Sequence, residues 1–289
     1  MKTDPQGHRH RLSVWHIRFI CMLLIGSLGV NLWQASLRTP APSGTGRDIR
    51  WPRQAQAHAS LGKRIRVATY NIHRAKGLDG RQDVSRIADV LKDMDVVALN
   101  ELAGSSHWGS LNQAEQLGCL LSVGWLFAPN QRRWHLDSFG NGLLSRAPTE
   151  YWYNEQLACN KNETRSFRNL LTAQVRVDEY PVSLFTTHLD SRGKDIRMAQ
   201  LREVVSRFKA HPHAILMGDL NTKSGNAMLN ELFQDIQNVD AIRVALGDQD
   251  PPNRIDWIIT RGFKVHQGGF EPSGASDHPC FWVDLEIIQ

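Results

Sequence analysis

Ala214-Ile215-Leu216-Met217-Gly218-Asp219-Leu220-Asn221 decides how the chain is read. The apolar run is consistent with a buried strand, which leaves Asp219 and Asn221 at its C-terminal mouth. Downstream, Arg254-Ile255-Asp256-Trp257-Ile258 places a carboxylate on another apolar run, and Ser276-Asp277-His278 forms a turn before a strand from Phe281 to Ile287. Upstream, Ile65 to Tyr70 ends in Asn71-Ile72-His73, and Asp95 to Leu99 ends in Asn100-Glu101-Leu102. Gly140-Asn141-Gly142 opens the run Leu143-Leu144, and Val182 to Thr187 ends in His188-Leu189-Asp190. One polar residue at a strand end is ordinarily a cap or a turn. Carboxylates, amides and imidazoles at seven ends form a set that can hold a hard divalent ion and activate water.

The ordered series TYNIH, NEL, GNGLLSR, TTHLD, GDLN, RIDWI and SDH resembles the endonuclease/exonuclease/phosphatase superfamily, with its DNase-I-like fold, over residues 64 to 289. The resemblance implies an α+β protein: a four-layer α/β/β/α sandwich of two mixed sheets flanked by helices. Two positions depart from common patterns. Asn100 stands where many relatives carry Gln, beside the metal-binding Glu. His73 stands where base-excision relatives carry Asp, and Asn71-Ile72-His73 with Gly77-Leu78-Asp79-Gly80 looks more like the bacterial and lipid-directed branches.

Roles carried over by motif match agree with the chemistry of the side chains. Glu101 and Asn71 would hold Mg²⁺, with Mn²⁺ as a substitute, leaving the ion largely hydrated as Mg²⁺ prefers. Asp277 is a second candidate ligand or a partner that orients His278. Asp256 would orient His278 and raise its basicity. Asp219 would position or deprotonate the attacking water, Asn221 would orient it or a phosphate oxygen, and His188 would donate to phosphoryl oxygens as charge develops. Asn141 and Arg165 are the candidate substrate contacts. Each has a plainer reading. His188 fits a buried, satisfied histidine, Asp256 a partner of Arg254, and Asn141 a turn between two glycines. Lys161, Arg165 and Arg168 read as a solvated basic face, and Trp108, Trp125, Trp134 and Trp152 as core or rim packing.

Helical spacing covers Asp83 to Lys92, Arg192 to Lys209 and Ala227 to Phe233. Residues 1 to 64 hold ten Lys/Arg against two Asp/Glu, whereas the remainder holds 24 against 27. The basic character of the chain therefore belongs to its N-terminal part, which argues against a domain built to grip duplex DNA non-specifically. Lys2, Arg9, Arg11 and Arg18 precede an apolar segment from Phe19 to Trp33. The pattern fits a signal peptide or a signal anchor with the N-terminus cytoplasmic and the domain outside, periplasmic or extracellular. The expected organisation is 1–38 basic segment and anchor, 39–63 Pro/Gly/Ser-rich linker, and 64–289 catalytic domain. Cys119, Cys159 and Cys280 permit at most one disulfide in the domain, and no cysteine spacing suggests zinc.

The expected function is Mg²⁺-dependent hydrolysis of a phosphodiester, with a lipid head-group as substrate of a membrane-tethered enzyme. The alternatives are an exported nuclease acting on nucleic acid and a catalytically silent membrane-tethered binding domain. The segments 103–110, 129–139 and 247–253 are where substrate would be selected.

Overall fold

In strand β3 (Arg64–Asn71), Ile65 and Val67 face one apolar cluster while Ala68 and Tyr70 face another. In β10 (Ala214–Asp219), Ile215 and Met217 join the first of these clusters, and Ala214 and Leu216 belong to a third. Side chains alternate across a strand, so a continuous apolar run supplies both faces of a sheet. Three clusters therefore separate four layers. The fold is described here by a computed structural model covering residues 14–106, 109–134, 136–159 and 167–288.

Among the described residues, fourteen strands form two seven-stranded sheets. One sheet has the order β1 (Thr39–Pro40), β5 (Gly124–Arg133), β6 (Leu136–Ser145), β4 (Val96–Ala103), β3, β14 (Cys280–Ile287) and β13 (Phe263–Glu271). The other has the order β11 (Asn238–Asp240), β12 (Asp256–Arg261), β10, β9 (Tyr180–His188), β8 (Asn169–Val177), β7 (Thr149–Gln156) and β2 (Gly44–Gly46). Helices α2 (Val84–Leu91) and α3 (Gln113–Leu121) cover the first sheet through Ile87, Leu91, Ala114 and Leu117. Helices α4 (Lys194–Lys209) and α5 (Ala227–Leu232) cover the second through Leu201, Val204, Phe208 and Leu229. A short α6 (Ala241–Leu246) fits its Ala241 and Ile242 into the cluster between the sheets. The four-layer sandwich of two mixed sheets is thus as expected.

Local chemistry sets the helix boundaries. The Asp83 carboxylate accepts from the Ser85 amide, which satisfies a free donor at the start of α2. Helix α4 begins at Lys194 rather than Arg192, because Asp190 accepts from the amides of Arg192 and Gly193 and holds them in a turn. Helices α3 and α6 fall outside the sequence expectations.

Each sheet contains one parallel pair, β3 with β4 and β9 with β10. A parallel pair needs a crossover, supplied here by α2 and α4. Parallel strands end on the same side, so Asn71 and Asn100-Glu101 finish together in one sheet, and His188 and Asp219 finish together in the other. Ligands bind outside the carboxyl ends of such strands.

The segment 39–63 has the composition of a linker, yet it lies along the sandwich. Thr39–Pro40 pairs with β5 and Gly44–Gly46 with β7, one at the edge of each sheet, and Ala41, Ile49 and Leu61 are buried. Helix α1 (Val14–Ser36) precedes it and is exposed from Trp15 to Gln34. That stretch of 20 residues is apolar and long enough to cross a membrane. Among the described residues all four cysteines are free.

Candidate active site

Asp219 is the centre of the constellation, and its position follows from Gly218. At φ 139° Gly218 lies where L side chains rarely go, and a Cβ there would fall 1.9 Å from the Thr187 carbonyl oxygen. The glycine lets β10 approach β9 closely and sets Asp219 opposite both His188 and Asp256 in the strand register. Asn221 follows at φ 47°, its amide donating to Asp219 Oδ1 at 2.8 Å and its Nδ2 to the Leu189 carbonyl at 3.0 Å. The Asn71 Nδ2 donates to Asp219 Oδ2 at 3.2 Å across the two sheets.

Two histidines flank this carboxylate. His188 Nε2 lies 3.6 Å from Asp219 Oδ2, and its Nδ1 lies 3.9 Å from Glu101 Oε1 with no hydrogen-bond partner. Burial, reinforced by the positive charges of Arg168 and His278, pushes the His188 pKa well below its usual value, so this ring is neutral. His278 Nδ1 is 2.8 Å from Asp256 Oδ2, and its Nε2 is 3.9 Å from Asp219 Oδ2. Burial alone would lower the His278 pKa. The hydrogen bond to Asp256 and the charges of Asp256, Asp219 and Asp277 outweigh it and raise the value to about 9. Asp219 is pushed up to about 7, by burial first and then by the charge of Asp256. Asp256 does not pair with Arg254 through its carboxylate. Arg254 holds the Asp256 carbonyl at 2.8 Å and ion-pairs with Asp240 and Asp250.

Glu101 reaches the mouth because β4 is irregular. Leu99 pairs with Gly142 and Leu102 with Gly140, so Asn100 and Glu101 together face one residue of β6, and Glu101 takes φ 59°. Such a bulge re-aims a side chain. Leu99 and Leu102 stay in the core, Asn100 is fully buried, and Glu101 turns into the opening. Among the described residues no donor hydrogen-bonds the Glu101 carboxylate, which suits a group reserved for a cation. Asp277 joins the same rim, 3.5 Å from His73 Nδ1, and Ser276 Oγ donates to the Asn71 carbonyl at 2.7 Å.

The donor chemistry separates two ways of holding a metal. Asp219, Asp256 and His278 each offer an atom within 4.8 Å of the others. However, His278 Nδ1 is already engaged with Asp256, and a ring that carries a proton at neutral pH is a poor ligand. The oxygens of Glu101, Asn71 and Asp277 suit a hard cation better.

Asn141, expected as a substrate contact, has partners within the protein. It is buried, accepts from Asn100 Nδ2 at 2.8 Å and donates to Asn169 Oδ1 at 2.6 Å. It belongs to a buried amide chain that stitches the sheets. Asn100 also accepts from the Asp219 amide at 2.9 Å and donates to the Thr187 carbonyl, and Asn169 donates to the Ala128 carbonyl and to Asn154. Sequence reading treated Asn100 only as the neighbour of Glu101. Its signal was an amide inside an apolar strand, which must find partners once buried.

Lys161, Arg165 and Trp108 lie outside the described residues. Arg168 corrects the expectation of a solvated basic face: it is buried, its Nε lacks a partner, and burial lowers its pKa. Together with Glu101, Gln131, Phe139, Asp190 and Arg192 it lines a cleft of about 280 Å³ beside the constellation. Gln131 and Phe139 belong to one of the segments expected to select substrate. Trp125 is core, as expected, with Arg50 over its ring.

The family model for the endonuclease/exonuclease/phosphatase family matches residues 68–278. A solved endonuclease/exonuclease/phosphatase from Beutenbergia cavernae is 26% identical at TM-score 0.64, with 78% of this chain and 72% of that chain covered. A family protein from Leptotrichia buccalis is 15% identical at TM-score 0.59, with 78% of this chain and 100% of that chain covered. D. rerio TDP2 complexed with a single-strand DNA product is 19% identical at TM-score 0.54, with 77% and 99% covered. Among curated proteins none matches. The chain belongs to the endonuclease/exonuclease/phosphatase family, whose members are generally metal-dependent phosphodiesterases or nucleases.

Proposed function

We propose that the chain hydrolyses a phosphodiester with the help of Mg²⁺ or, in its place, Mn²⁺, and that it works from a membrane to which α1 anchors it, on the outer side. The reading rests on the Asp256–His278 pair at 2.8 Å beside the buried carboxylate of Asp219. Glu101 and Asn71, with Asp277 at the rim, are the residues that would hold the ion. When bound, the ion supplies Lewis-acid stabilisation of the charge on the phosphoryl oxygens. Asp219, with its pKa near neutrality, takes a proton from the attacking water, and Asn221 fixes the Asp219 loop. The water oxygen bonds to phosphorus, the bond from phosphorus to the leaving oxygen breaks, and that oxygen takes up from solvent a proton equivalent to the one Asp219 removes from the water and then releases, so that the alcohol leaves neutral and the carboxylate is regenerated. His278 carries positive charge at neutral pH and donates through Nε2 to a phosphoryl oxygen. His188, neutral and buried, orients between Glu101 and Asp219.

A lipid head-group diester fits a tethered enzyme best. Nucleic acid is the second reading, favoured by the fold shared with D. rerio TDP2, which was solved with a single-strand DNA product. The test is turnover of bis-p-nitrophenyl phosphate with Mg²⁺ and with EDTA. Glu101→Ala and His278→Ala each abolish turnover while leaving the fold intact. Activity insensitive to EDTA, or wild-type rates from either variant, refutes the reading, and inertness of the wild type towards every diester leaves a silent binding domain in its place.

A further inference from the structure

We infer that residues 37–41 form a strap that makes the exit of α1 one wall of the catalytic cleft, so that the site works on a phosphodiester carried by a lipid of the same bilayer. The inference rests on the phosphodiesterase and anchor readings above and adds to them the geometry that couples the two.

The coupling is local. Helix α1 ends at Ser36, whose carbonyl accepts from Arg133 Nε at 3.2 Å. Three residues later, Thr39 and Pro40 pair with Arg132 and Gln131 at the edge of the first sheet. The Ala41 amide donates to the Asn130 carbonyl at 3.1 Å, and Ala41 is buried. Between these fixed points stands Arg38, which lines the cleft with Glu101, Gln131 and Arg168. Two residues of chain span at most ~7 Å, so the end of the apolar helix lies at the cleft wall. A free linker would let the domain turn away from the bilayer, whereas a strap bonded before and after Arg38 holds the opening near it.

Charge favours a lipid as occupant. The body beyond residue 64 has more acids than bases. The cleft at the helix exit is nonetheless lined by Arg38, Arg74, Arg168 and Arg192 against Glu101 and Asp190, and such cations pair with the phosphate of a diester head-group. Within the cleft, Arg74 stacks over Phe139 at 4.9 Å, so the wall offers apolar surface as well as cations.

The test uses the full chain reconstituted into phosphatidylcholine vesicles containing phosphatidylinositol or sphingomyelin, with bis-p-nitrophenyl phosphate as a soluble substrate. A flexible Gly/Ser insertion of about ten residues between Ser36 and Leu37 keeps the anchor but frees the domain from it. The expected result is a fall of ~10-fold or more in lipid-diester turnover, with the soluble ester within ~2-fold of wild type, as the effective concentration of membrane substrate drops. Arg38→Glu raises KM for the lipid diester, and Arg38→Lys restores most of it. Lipid turnover unchanged by the insertion overturns the inference, as does wild-type cleavage of the soluble ester or of single-stranded DNA but of neither lipid. Failure to cleave even the soluble ester overturns the phosphodiesterase reading itself, a distinguishable outcome.

Discussion

Replacing Asp256 by Asn should abolish a pH-dependent part of the stability of this protein. The substitution keeps the shape and an acceptor for His278 but removes the charge that the imidazolium faces at 2.8 Å. In the metal-free wild type the folded His278 pKa is raised to about 9, against 6.5 for the unfolded chain. The imidazole is 19% exposed, so solvent screens it only in part. A raised folded value means that the stabilisation is fully present below 6.5 and is lost as pH rises through about 9. At ~1.36 kcal/mol per pKa unit the full difference amounts to about 3 kcal/mol. Asp219, pushed up to about 7 from 3.8, changes stability in the same direction, but its window closes near pH 7. Urea unfolding in EDTA at about pH 7 and about pH 9.5 therefore isolates the histidine, with most of the ~3 kcal/mol lost over that interval. In Asp256→Asn burial still acts on the ring while its main partner is neutral and only Asp219 and Asp277 still raise its pKa, so the folded His278 value falls well below that of the wild type and the loss of stability above pH 7 shrinks accordingly. NMR titration of the ring reports the same shift directly. A wild-type stability that is flat between these pH values, or a His278 pKa that is equal in both proteins, would refute the argument.

Two further substitutions probe the frame that carries the site. Gly218→Ala forces β10 away from the Thr187 carbonyl at a backbone angle that alanine avoids, and is expected to cost ~3 kcal/mol or more in chemical unfolding; a loss under ~1 kcal/mol would show that the strands part easily. Arg254→Met strips the partner from Asp240 and Asp250, each 2.7 Å from a guanidinium whose side chain is 3% exposed. Breaking a buried pair in this way costs about 3–5 kcal/mol, read as a lower midpoint in urea, and an unchanged midpoint would mean that the two acids find water or other donors.

The sequence by itself determined the strands and the chemistry at their ends. Apolar runs such as Ala214 to Met217 leave no other place for their side chains than between packed layers, and polar residues that close such runs must sit at the rim. Asp83 marks the start of α2 because a carboxylate before a helical pattern has a free amide to accept from. What only the tertiary structure decided depends on residues far apart in the chain. Asn141 has the spelling of a turn residue, yet it is buried and its amide bridges Asn100 and Asn169. Arg168 has the spelling of a solvated cation, yet it is buried in the cleft wall just before β8. Residues 39–46 have a linker's composition, and backbone hydrogen bonding at the sheet edges, which composition does not report, seats them on both sheets. Glu101 reaches the mouth only through a bulge set by its pairing with β6. Which side chains exist at the strand ends is a local property of the chain. Which of them meet, and which are spent holding the sheets together, is fixed by strand register and by the need of every buried amide for a partner.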